Sequence, residues 1–146
     1  FTEFFVAKRV SETGLNEYLI NLSEGGLNRH FARFGATSGE IIVTNRTDTG
    51  TTLSATGFTN TNHEIIRFSR GGATESIAVN NGAATSSANA LSESGIDGGV
   101  IGRSAAASLG LIGDIAMVLI YNRLLTSTEI VQVNRFIAKT TAITIS

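Results

Sequence analysis

The sequence predicts an all-β fold: an antiparallel two-sheet jelly-roll sandwich closed by one short C-terminal helix. Short β-branched or aromatic runs recur along the chain, separated by Gly and Asn. An Asn-Gly pair, Asn81-Gly82, lies between Ile77-Ala78-Val79 and Ala83-Ala84-Thr85, where it suits a type I′ hairpin turn. The pattern of a capped amphipathic helix appears only late, from Thr126 onward. Many strands and one late helix fit an antiparallel sandwich, and 146 residues without repeat or linker fit a single domain over 1–146.

Strands are expected over 3–10, 17–23, 27–34 and 40–44, with Gly25-Gly26 turning the second into the third. The stretch 45–62 is rich in Thr, Gly and Asn, with Leu53 and Phe58 as its apolar anchors, and reads as a long loop or a weak edge strand. Further strands follow over 63–70, 75–80, 100–102 and 115–121. The helix begins with a capping box, Thr126-Ser127-Thr128-Glu129, in which the Thr126 hydroxyl and the Glu129 carboxylate satisfy backbone amides reciprocally. Leu125 and Ile130 suit a hydrophobic staple across that cap. Ile130, Val133, Phe136 and Ile137 then fall at helical spacing, and the helix should run to about Lys139.

Composition excludes several functions. Charged residues make up 16% of the chain, against roughly 25% in ordinary soluble domains. Neutral polar residues must therefore carry solubility, a surface common in secreted and virion proteins. The net charge of −1, with Arg67, Arg70 and Arg103 scattered, offers no basic footprint for nucleic acid. Without cysteine there is no disulfide scaffold, thiolate zinc site or cysteine nucleophile. No apolar run approaches the ~20 residues that span a bilayer. The chain opens on Phe1 directly in a strand-like run, so an excerpt lacking its N-terminal strands is expected.

The segment from Gly113-Asp114-Ile115 through Tyr121-Asn122-Arg123 to Leu125-Thr126 and Ile130 closely resembles the C-terminal signature of laminin-G-like and concanavalin-A-like lectin domains. There a Gly opens the last long strand, Tyr-Asn-Arg ends it, and a Leu-Ser/Thr cap starts a short helix. Ile77 to Gly82 and Val100-Ile101-Gly102-Arg103 are similar to two earlier strands of the family, and Phe4-Phe5-Val6-Ala7-Lys8 to a mid-domain strand. The chain departs from the family after Ile115, where charged residues give way to Ala116, Met117 and Leu119. Alternation places Met117, Leu119 and Tyr121 on one face and Ala116, Val118 and Ile120 on the other. A strand with two apolar faces is covered on both. The cover comes from the helix, from a loop such as 45–62, or from another domain or subunit, which would make Met117, Leu119 and Tyr121 an interface.

Catalytic patterns are weak. Retaining glycosidases need two carboxyls ~5 Å apart on rigid elements. Glu93 and Asp97 instead sit in a Ser/Gly-rich stretch, and Asp114 stands alone. His30 and His63 lack the companions that a zinc site of three or more ligands requires. Gly35-Ala36-Thr37-Ser38-Gly39 lacks the spacing of a nucleophile elbow. The chain is therefore expected not to be an enzyme and to hold no cofactor. A calcium site would draw on the loop aspartates Asp48 and Asp97, but each reads better as a turn former.

Two roles remain: a structural, assembly or decoration module of an extracellular or virion protein such as a phage capsid or tail, bound to other subunits, or a carbohydrate-binding module for surface polysaccharide. The resemblance is the main warrant for the second. Arg29, Arg33 and Tyr121 are the ligand-binding candidates on an exposed sheet face.

Overall fold

Phe4, Phe5, Val6 and Ala7 are apolar in succession, so neither face of their strand can meet water. The computed structural model describes residues 1–10, 17–24, 27–35, 39–45, 52–58, 62–88, 98–103 and 110–143. These form β1 (Thr2–Arg9), β2 (Glu17–Glu24), β3 (Leu27–Phe34), β4 (Ile41–Asn45), β5 (Thr52–Ala55), β6 (Glu64–Gly71), β7 (Thr74–Val79), β8 (Thr85–Ala88), β9 (Gly98–Ile101), β10 (Gly113–Tyr121) and α1 (Ser127–Thr141). One sheet has the order β10-β1-β6-β7-β8 and the other β5-β4-β3-β2-β9. Every strand pair is antiparallel. The architecture is the expected two-sheet sandwich with one C-terminal helix.

The two faces of β1 serve two cores. Phe5 and Ala7 point between the sheets, joining Ile66, Phe68 and Ile77 of their own sheet and Leu19, Ala32, Phe34, Ile41 and Val43 of the other. Phe4 and Val6 point outward and pack with Ile65 beneath Leu125 and Ile137 of the helical segment. Burial of each such side chain contributes about 1.5–3 kcal/mol relative to exposure. A buried ion pair and a buried histidine–carboxylate hydrogen bond cross between the sheets at the two ends of β1. Arg9 Nε lies 3.2 Å from Glu17 Oε1, and His30 Nε2 lies 2.9 Å from Glu3 Oε2.

β10 is irregular. Val6 pairs with Met117 but Ala7 pairs with Ile115, so Ala116 is a β-bulge. The bulge turns Ile115 into the core between the sheets while Met117, Leu119 and Tyr121 pack under α1. Simple alternation is therefore corrected on the other face: Val118 reaches the core, but Ala116 and Ile120 are exposed. Gly113 opens β10 because a Cβ there would collide with the Lys8 carbonyl oxygen of β1.

The helix carries both capping-box hydrogen bonds and runs to Thr141, two residues beyond the expected end. Ile137 is buried as expected, but Phe136 is 54% exposed and Asn134 is buried in its place. The buried stripe thus follows 130, 133/134 and 137, with Phe136 rotated off it. β7 and β8 do form the expected hairpin, but the turn is not type I′. Ile77 pairs with Thr85, and the residue at positive φ is Asn80 (53°), whose carboxamide oxygen accepts from the Ile65 amide at 3.0 Å. The two-residue turn lies instead between β6 and β7, with Gly72 at φ 59°. The 45–62 stretch supplies β5 as an edge strand. Gly25-Gly26 lies outside the described residues.

Candidate functional site

On β3, Ala32 and Phe34 face the core, so Phe31 and Arg33 face outward from their sheet. β2 adds Tyr18 opposite Arg33 and Asn21 opposite Phe31. The Tyr18 and Phe31 rings lie 5.3 Å apart and are nearly buried. The Arg33 guanidinium carbon sits 5.2 Å from the Phe31 centroid and 5.8 Å from that of Tyr18. Stacking over two ring faces draws the cation to the aromatic pair by the ring quadrupoles and limits its motion. Arg33 Nε is buried without a hydrogen-bond partner. Arg33 as a residue is partly exposed, and its planar guanidinium matches a carboxylate in shape and charge.

Tyr121 lies on the far side of the sandwich. It ends β10, packs edge-on to Phe4 at 6.1 Å, and lines a pocket of about 290 Å³ with Arg123, Glu129 and Phe136. Arg33 and Tyr121 therefore belong to different sheets and are not brought together. Arg29 has its backbone on β3, while its side chain lies outside the described residues. Met117, Leu119 and Tyr121 are half-buried against α1. Tyr18 and Phe31 were not anticipated as Arg33's neighbours, because only the β2–β3 register reveals them.

Two polar clusters between the sheets are structural. His30, taken from the sequence as lacking an acidic companion, has one in Glu3, and both are closed off between the sheets against Phe1 and Phe68. Glu17 accepts from Arg9 and from the Ile112 amide, while Arg9 also donates to the Gly35 carbonyl. Among the described residues no group of three His, Cys, Asp or Glu side chains converges on a common point. Asp48, Glu93 and Asp97 lie outside the described residues. No helix among the described residues is long and apolar enough to cross a membrane.

No family model matches the chain, and no curated protein matches it. Solved structures do. The CBM40 module of the Ruminococcus gnavus IT-sialidase superposes with a TM-score of 0.73 at 14% identity, covering 91% of this chain and 81% of that one. The same module bound to α2,3 sialyllactose gives 0.75 at 14% identity, with 91% and 81% covered. Bound to α2,6 sialyllactose it gives 0.71 at 13%, with 91% and 82% covered. The likeness is one of fold. It shows that this chain shares the β-sandwich fold of that module.

Proposed function

We propose that the chain is a non-catalytic carbohydrate-binding module of an extracellular protein, recognising acidic glycans through the outer face of the β2–β3 sheet. The observation that carries this is Arg33, partly exposed and stacked on Tyr18 and Phe31. A carboxylated sugar supplies an acceptor for the guanidinium, and a cation already stacked on two rings loses little freedom on binding it. The fold neighbours, two of them bound to sialyllactose, favour this reading over that of a virion assembly module. The laminin-G-like resemblance at Gly113–Ile130 points to the same lectin-like class. Tyr18 and Phe31 orient the cation; being nearly buried, they do not themselves offer a stacking platform.

Titration calorimetry with 3′-sialyllactose, 6′-sialyllactose and lactose tests the proposal. Both sialylated sugars should bind and lactose should not. Arg33→Ala should weaken binding at least about tenfold, the loss of one charge-assisted hydrogen bond, with an unchanged circular dichroism spectrum. Since the contact is made by a guanidinium, EDTA should leave affinity as it was. Equal binding of lactose, or full affinity in Arg33→Ala, would refute the assignment.

A further inference from the structure

A second polar cavity, of about 710 Å³, opens between α1 and the outer face of the β10-β1-β6-β7-β8 sheet. Its wall includes Arg67, on β6 between Phe4 and Ala78 of the neighbouring strands, and Arg135 of α1. Among the described residues neither guanidinium meets a carboxylate. Arg67 is half-buried, and burial lowers its pKa from the ordinary value, as expected of a cation without a counter-charge. Asn134, 4% exposed, donates from Nδ2 to Asn81 Oδ1 at 2.9 Å, yet its own Oδ1 is buried with no partner. Ile130 and Val131 add apolar surface beside these groups.

We infer that this cavity is a binding site for an acidic monosaccharide unit, one carrying a carboxylate or a sulfate ester. Two unpaired guanidinia supply the donors for an oxyanion. Asn81 and Ser127 on the same wall bring amide and hydroxyl groups that suit the hydroxyls of a sugar rather than a bare inorganic anion. Ile130 and Val131 suit the C–H face of a ring, and the volume falls within the range of small-molecule sites. The half-buried Arg67 guanidinium, without a counter-charge among the described residues, gains one when an acidic ligand binds. The site stands on the opposite sheet from Arg33 and does not depend on it.

The test is titration calorimetry of the whole chain with glucuronate, glucose 6-sulfate, glucose and inorganic sulfate, the first two separating the carboxylate from the sulfate source. At least one acidic sugar should bind, and more tightly than glucose or sulfate. In the Arg33→Ala background, which removes the carboxylate site proposed on the other sheet, Arg67→Met and Arg135→Gln should each weaken that binding about tenfold or more. Arg67→Met should also raise the melting temperature, a readout independent of the ligand. The inference is overturned if neither acidic sugar binds the Arg33→Ala protein, if glucose or sulfate binds it as tightly, or if binding in that background survives Arg67→Met.

Discussion

At Glu129 one carboxylate accepts from the Arg123 guanidinium at 2.6 and 2.9 Å, from the Thr126 amide at 2.8 Å and from the Thr126 hydroxyl at 3.0 Å. Arg123 first, and Thr126 after it, lower its pKa from 4.5 to about 2. A carboxyl depressed on folding stabilises the fold above its ordinary value and loses that contribution as pH falls through the folded value. The effect of Glu129→Gln on thermal stability should therefore be full at pH 7 and shrink between pH 4.5 and 2, as melts across that range would show. The pair is exposed, so added salt should weaken it as well. This cap was legible in the sequence because its groups lie three residues apart. The Arg33 cluster was not: Tyr18 is fifteen positions away, and the strand register alone brings it across.

α1 is held chiefly by its underside, where Ile130, Val133 and Ile137 meet Phe4, Val6, Ile65, Met117 and Leu119. Leu119→Asp places a charge without a partner in that contact, at a cost of about 3 kcal/mol. The helical dichroism at 222 nm should weaken and the chain should melt earlier. Unchanged helix and stability, with loss of self-association instead, would mark Leu119 as a contact with a second subunit. The need for a cover over this strand face was readable from its apolar alternation. Which residues of the helix provide it was read less well, since Phe136 and Asn134 exchange places relative to the simple stripe. A buried Asn is not an apolar signal, and its burial follows from its hydrogen bond to Asn81, far away in sequence.

Across the whole molecule, β1 lies between β10 and β6, so strands from near both ends of the chain form adjacent ladders of one sheet. Strand positions were legible to within a residue or two at most elements because Gly and Asn punctuate them. Sheet order was not, since period-two alternation says which face a residue takes but not which strand lies alongside. The cross-sheet pairs Arg9–Glu17 and Glu3–His30 were invisible for the same reason. The bulge at Ala116 bears on how this fold tolerates changes in chain length. With Ala116 removed, Ile115 and Met117 become consecutive, each still opposite its present partner on β1 and still facing its own core. With Val118 removed, every side chain on one side of the gap changes face. Deletion of Ala116 should give a folded protein with a cooperative melt, and deletion of Val118 should not. Ala116 is thus the place in β10 where evolution is free to insert or delete a residue without disturbing either layer.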